Sequence, residues 1–372
     1  MIKLVDLTYY AHLNYTHAGQ VSKNHSPALA FAPHLIGKID FSFVKHASFE
    51  EHTVIDGIPY HFFKGRNRFW SITLKTHRYI KKLKPDIVLV QGLVFPLQVI
   101  FLRLFCGSGF KIMIQHHGEL PYSGIKGWLQ KLACGFADAF IFTAAGNAWI
   151  WKKRNIIKPD ANIFELLEAS THFTQQDKQI SKQRTQMTDE NNFLWVGRLN
   201  ANKDPITVLL AFIQYLQINP EAKLYMIYQS EDMINDVMEL FASSKLLSNA
   251  VVLVGRVANH ELPYWYSAAD FYISGSHKEG SGYALLEAMA CGCVPLITNI
   301  PPYQKLTGSG QCSFLYPPGD ANALAKLLYT VNNVDQKKLS DDTLSYFNQH
   351  LTFKNIADDL VNICGQVMTK SA

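Results

Sequence analysis

The chain has 372 residues, 48% of them hydrophobic and 17% charged, with a formal net charge of +5. That length exceeds what one hydrophobic core usually serves, and the composition excludes a disordered chain, so two folded domains are expected. The positive excess suits phosphates or an anionic lipid surface but is too weak to argue for nucleic acid, which is not expected as a partner.

The N-terminal MIKLVDLTYY lacks the basic start, apolar run and small-residue cleavage site of a secretory leader and reads as a first strand. Further strands are expected over 87–91, 111–115 and 139–143, with helices over 70–83, 96–104 and 127–136. The strands are continuous apolar runs, as in a parallel sheet covered on both faces. The most apolar stretch, 87–105, is interrupted by Gln91, Gly92, Pro96, Gln98 and Arg103. It reads as a buried strand, a turn and a helix, since a membrane span needs about 20 predominantly apolar residues.

Residues 171–192, THFTQQDKQISKQRTQMTDENN, have the composition of a solvated connector. The α/β pattern then restarts, with strands expected over 193–196, 224–227, 251–254, 271–274 and 294–298 and a helix over 205–216. Two α/β units follow: 1–170, and 193–352 after the linker 171–192. A last helix in 353–372 either ends the second unit or crosses back to the first. Doubly wound sheets bind ligands at the carboxyl ends of their strands, so two facing units imply a cleft between them. The six cysteines, Cys106, Cys134, Cys291, Cys293, Cys312 and Cys364, show no framework spacing, and reduced, mostly buried thiols in a cytoplasmic protein are expected.

The chemistry concentrates in the second half. Glu279 and Glu287 flank Gly280, Ser281, Gly282 and Tyr283, where a strand-to-helix loop enters a helix that ends near Gly292. A carboxylate accepts hydrogen bonds from two neighbouring hydroxyls, and backbone N–H groups at a helix start suit phosphate oxygens. Taken alone, the pair could equally be a surface glutamate and one placed by the helix dipole. Arg198 and Lys203, in the loop after the strand at 193–196, sit on the same sheet rim. Two fixed cations there could neutralise a nucleoside diphosphate leaving group. The chain has no Asp-x-Asp and no H-E-x-x-H, so no metal and no cofactor are expected.

Together these segments resemble family 4 of the retaining glycosyltransferases, among the group 1 glycosyl transferases, with the GT-B fold of two Rossmann-like doubly wound domains facing across a cleft. FLWVGRLNANKDPITVLLAF at 193–212, VVLVGRVANHELPYWYSAADFYISGSHKEGSGYALLEAMACGCVPLIT at 251–298 and PPGDANALAKLL at 317–328 carry the resemblance. It implies that the 193–352 domain binds the donor and the 1–170 domain the acceptor. Arg198 and Lys203 would hold the diphosphate, Glu279 the transferred sugar and Glu287 the ribose. Gly255, Arg256 and Val257 would lie beside the base, with Gly280, Ser281, Gly282 and Tyr283 lining sugar and phosphates. Relatives often carry an aromatic residue where Ser281 stands, which makes donor identity less transferable.

In the first half the resemblance is thinner. His116-His117-Gly118-Glu119 looks like the family's strand-end His-Gly, with His117 the choice for the donor sugar and His116 the reserve. A structural histidine is the alternative, and His116 and Glu119 are the candidates for acceptor binding. Gly19 stands where the family often has paired glycines near the diphosphate; acceptor binding or a connecting loop are equally open for it. Glu165 to Thr171 replaces the family's Asn-Gly-Val, leaving the role of Glu168 open. Two basic stretches, 75–84 and 152–158, suit either a solvated face or anionic lipid.

The expectation is a metal-independent retaining enzyme, with Arg198, Lys203, Glu279 and His117 as its catalytic set. It would move a sugar from a UDP-sugar, or a GDP-sugar, to a hydroxyl of a glycan or lipid-linked acceptor in surface polysaccharide or lipopolysaccharide synthesis. Peripheral contact with the inner leaflet is part of that expectation. A sugar-nucleotide epimerase or hydrolase, and a non-catalytic sugar-nucleotide-binding subunit, are the rival readings.

Overall fold

The computed structural model describes residues 1–67, 70, 73–187 and 191–369. The chain divides into two compact units, one made of 1–169 with 353–372, the other of 170–352.

The first unit is an eight-stranded sheet of β1 (Lys3–His12), β2 (Asp40–Ala47), β3 (Glu51–Ile55), β4 (Ile58–Lys64), β5 (Ile87–Gln91), β6 (Lys111–Gln115), β7 (Ala139–Phe142) and β8 (Ile163–Glu165). Their order is β3-β4-β2-β1-β5-β6-β7-β8. All neighbours are parallel except the β3–β4 hairpin. The hairpin turns at Asp56 and Gly57, both at positive φ, the conformation a tight hairpin turn requires. The central strands are apolar on both faces, and Val5, Leu7, Val88, Val90 and Ile112 are fully buried. The chain builds outward from β1 through β2 to β4 on one side and then crosses to β5 on the other, so the switch point lies between β1 and β5.

The second unit is a six-stranded, wholly parallel sheet of β9 (Asn192–Gly197), β10 (Lys223–Tyr228), β11 (Val251–Gly255), β12 (Phe271–Ser274), β13 (Val294–Thr298) and β14 (Phe314–Tyr316). The order β11-β10-β9-β12-β13-β14 puts its switch point between β9 and β12. Its core packs Phe193, Trp195, Phe212, Tyr215 and Phe271 into one cluster.

The structure corrects the sequence expectation in one stretch and decides between its alternatives in another. The polar segment 171–192 carries a helix, Lys178–Thr185, capped by Asp177, whose carboxylate accepts from the Ile180 N–H at 2.8 Å. Its charges are spent inside the second unit: Arg184 forms a bidentate pair with Glu261 at 2.6 and 2.7 Å, and Lys178 pairs with Asp270 at 2.7 Å. Residues 188–190 of that segment lie outside those described. The final helix, Phe353–Thr369, belongs to the first unit. Its apolar stripe of Phe353, Ile356, Leu360, Ile363 and Val367 is buried, and Lys38 pairs with Asp358 at 2.6 Å. The helix expected over 70–83 is observed as Leu74–Leu83, and residues 71 and 72 of that range lie outside those described.

Candidate functional site

Two loops leave the second sheet at its switch point, one after β9 and one after β12. The first is folded by Asn200, whose side chain accepts from the Lys203 N–H at 3.0 Å and whose carbonyl accepts from the Asp204 N–H at 3.1 Å. Asp204 then caps the helix Pro205–Leu216, accepting from the Thr207 N–H at 3.1 Å, and Pro205 fills the first helical position, where no N–H is needed.

The loops are tied together. His277 donates its backbone N–H to the Asn202 carbonyl at 2.8 Å and sets its ring nitrogen 3.0 Å from Asp204 Oδ2, while Asn202 donates to the Lys278 carbonyl at 3.1 Å. Gly275 lets them meet: a Cβ there would lie 2.7 Å from the Asp204 carbonyl oxygen. The result is an ion pair across the switch point, Lys203 Nζ on Glu279 Oε1. Tyr303 OH donates to the same carboxylate oxygen at 3.1 Å and is itself 2.9 Å from Ser274 Oγ.

Arg198 stands exposed at the start of the first loop. Gly280, Ser281 and Gly282 lead into the helix Tyr283–Ala290, with Gly282 at φ +64 as its N-cap and Tyr283 exposed. Glu287, on that helix, accepts from the buried Tyr266 OH at 3.0 Å. Burial raises its carboxyl to about 7, against the opposing pull of the Tyr266 bond, so it titrates near neutrality. Gly255 ends β11 at φ +76, with exposed Arg256 and half-buried Val257 following. Strands lie about 4.8 Å apart, so this turn is about 10 Å along the carboxyl edge from β9.

In the first unit a cavity of about 310 Å³ opens at the β1/β5 switch point. Asp6, Lys45, Gln91, His117 and Glu168 line its polar part, and Ile356 and Leu360 of the final helix join its apolar wall. Gln91 donates to Asp6 Oδ2 at 2.5 Å, which leaves its amide oxygen to accept from His117 Nε2 at 2.6 Å. The other ring nitrogen of His117 lies 3.5 Å from Glu168 Oε1. Burial opposes a charged ring, but Glu168, Glu119 and Asp6 outweigh it, and the His117 pKa is raised. Both ring nitrogens thus face acceptors, as an imidazolium requires.

His116 does not reach this cavity. It is buried, stacked on Phe142 with ring centroids 4.8 Å apart, and hydrogen-bonded to the Glu119 carbonyl at 3.0 Å. The carboxylate of Glu119 organises the loop, accepting from the Leu93 and His117 N–H groups at 2.9 and 2.6 Å. Gly19 lies in the short helix Ala18–Asn24, away from the cavity, and not in a connecting loop. Sequence reasoning missed Gln91, Tyr303 and Gly275. Only Gly275, directly after a strand, carried a local signal.

The two doubly wound sheets, each with a site at its switch point, define an α/β protein of the GT-B class. Residues 176–340 match the family described as glycosyl transferases group 1. It is 32% identical over 114 residues to the alpha-monoglucosyldiacylglycerol synthase of Streptococcus pneumoniae, covering 31% of this chain and 25% of that protein. It is 28% identical over 125 residues to the GDP-mannose:cellobiosyl-diphosphopolyprenol alpha-mannosyltransferase of Xanthomonas oryzae, covering 33% of each. The chain thus spans a quarter to a third of the length of these two relatives. The fold as a whole is shared with a glycosyltransferase from Rickettsia africae (TM-score 0.72, 14% identity, 99% of this chain and 100% of that one). HepE from Anabaena, solved in complex with UDP, matches equally well (TM-score 0.72, 14% identity, 98% of this chain and 100% of that one).

Proposed function

We propose that the protein is a retaining, metal-independent glycosyltransferase that moves a sugar from a nucleotide-sugar donor to a hydroxyl of a glycan or glycolipid, on the cytoplasmic side of a membrane. The observation that carries the reading is the Lys203–Glu279 pair closed across the β9/β12 switch point. A nucleotide sugar would open it, with Lys203 and Arg198 turning to the diphosphate and Glu279 to the sugar hydroxyls. Cations fixed before the reaction stabilise the departing diphosphate at little reorganisation cost. Glu287 would take the ribose diol. A UDP-sugar is favoured, as HepE is solved with UDP. The Xanthomonas relative, named for GDP-mannose, supports a GDP-sugar as the second reading.

The first unit's cavity is assigned to the acceptor. Asp6 Oδ1, His12 Nε2 and His25 Nε2 are buried there without hydrogen-bond partners. Burial, then Lys45 and His25, lowers His12 to about 3, and burial and Lys45 lower His25, so both rings are neutral at pH 7. A neutral imidazole offers one donor and one acceptor, which matches an uncharged hydroxyl.

A thermal-shift panel of UDP-, GDP- and ADP-sugars tests the donor reading. A true donor at 100 times its Kd stabilises by about 2.7 kcal/mol, and Lys203→Met should abolish the shift. With labelled donor, transferred sugar supports the proposal. Free sugar alone with every acceptor tried would point to a hydrolase, and binding without turnover to a non-catalytic subunit.

A further inference from the structure

The helix Gly124–Cys134 is apolar on both faces. Gly127, Gln130, Ala133 and Cys134 are buried inward, whereas Ile125, Trp128 and Leu132 point outward, with Ile125 75% and Trp128 63% exposed. A helix on a water-facing surface normally carries polar side chains there. The patch continues onto the next helix, Trp149–Lys153. Arg154, just past its end, donates to the Pro121 carbonyl at 3.0 Å beside the start of the first helix, and Trp149 is 61% exposed. Leu120, 64% exposed, extends the patch to the residue after Glu119, which lines the cavity.

The charge around it is predominantly positive. Residues 120–158 contain six bases, Lys126, Lys131, Lys152, Lys153, Arg154 and Lys158, against the single acid Asp138. That balance of +5 equals the net charge of the whole chain. Asp138 faces inward, paired with Arg103 at 3.2 Å and Lys111 at 3.1 Å, while Lys126, Lys131 and Lys153 are exposed. Of the two basic stretches in the sequence, 152–158 falls on this face. In the other, Lys75 is engaged with Glu50 at 2.6 Å.

We infer that this face docks on an anionic bilayer, with Trp128, Ile125 and Trp149 entering the headgroup boundary and the lysines around them meeting acidic lipid. Each cation near such a surface raises affinity by about fivefold, and indole rings favour the interface between water and acyl chains. The wall of the cavity at Glu119, one residue from Leu120, is then held beside the membrane. The inference does not depend on the donor chemistry, so nucleotide binding serves as its control.

The test is co-sedimentation of the full chain with vesicles of phosphatidylcholine alone or mixed with phosphatidylglycerol. The expected result is binding to the mixed vesicles at least about tenfold tighter than to the neutral ones, weakening as salt shortens the screening length. Ile125→Glu with Trp128→Glu should lose about tenfold or more in affinity, with melting temperature and UDP stabilisation unchanged. If that pair lowers the melting temperature, Lys126→Ala with Lys131→Ala decides by the same loss. Equal pelleting with both vesicle types, or undiminished pelleting of the variants, would overturn the inference. So would failure to pellet together with a concentration-dependent dimer that Trp128→Glu dissociates, which would make the face an interface between copies.

Discussion

Glu287 couples nucleotide binding to pH. Its carboxyl is raised to about 7, so the folded protein holds a proton that the unfolded chain releases near 4.5. Stability from this group is therefore greatest at low pH, falls as pH rises from about 4.5 to about 7, and is flat above. Diol hydroxyls donate to the ionised form, so UDP affinity should be constant above pH 7 and drop about tenfold per unit just below it. Calorimetry across that window checks this. Glu287→Gln should lose about 10–100-fold in affinity together with the pH slope. His117 is shifted in the same direction, but here the protonated form is the charged one: its pKa is raised, so the imidazolium persists as pH climbs. Glu168→Gln should move the alkaline limb of the rate profile to lower pH, and His117→Ala should cost about 100-fold or more in turnover. Lys203, Glu279 and His117 were legible from the sequence because charge in a loop between a strand and a helix is conspicuous. Tyr303 was not. It follows Ile300, Pro301 and Pro302 with no polar motif around it, and only the fold brings its hydroxyl to Glu279. Nor was the pairing of Glu168 with His117, which spans 51 positions of chain and arises because β6 and β8 both flank β7.

Among the elements, the switch-point loops depend on backbone contact as much as on charge. Gly275→Ala would press a methyl against the Asp204 carbonyl, an oxygen fixed by the helix that follows. The expected loss is about 1–3 kcal/mol, with nucleotide binding weakened because Lys203 moves with the loop. Gly365→Ala is the control: it lies inside the helix Phe353–Thr369, its added methyl meets nothing within 4 Å, and it should stabilise by up to about 1 kcal/mol. Melting curves of the two variants should shift in opposite directions. The helix Pro205–Leu216 is found at its expected bounds because Asp204 and Pro205 mark its start chemically. The hairpin of β3 and β4 carried an Asp56-Gly57 turn signal and was nonetheless passed over, along with β2. In β2 the buried Lys45 and His46 break the apolar run that identified the other strands. The polar connector misled for the converse reason: its Arg184 and Lys178 are tied to Glu261 and Asp270 of the second unit, which fixes a helix there.

At the scale of the molecule, the first unit is discontinuous in sequence and the second is not. Ending the chain after Thr352 should strip Ile356 and Leu360 from the cavity wall and remove the Lys38–Asp358 pair. Two-transition calorimetry should then show the melting of the first unit lowered or lost and that of the second retained. A single shared transition falling as one would contradict independent cores. Two parallel sheets were expected from runs of buried strands spaced by helices, since that alternation is a local pattern. The side to which the last helix belongs was not readable, because an amphipathic stripe states that it must be covered and not by what.

The late return of that helix also sets an order of events on the ribosome. The second unit is complete as soon as its last residue emerges, but the first waits, its helix-binding surface at Ala32–Leu35 bare, until residues 353–369 follow. At about 5–20 residues per second, synthesis of 170–352 takes about 10–40 s. For that interval the nascent chain offers an apolar groove to holding chaperones, so yield in the cell should depend on elongation rate through the second unit as well as on the stability of the finished protein.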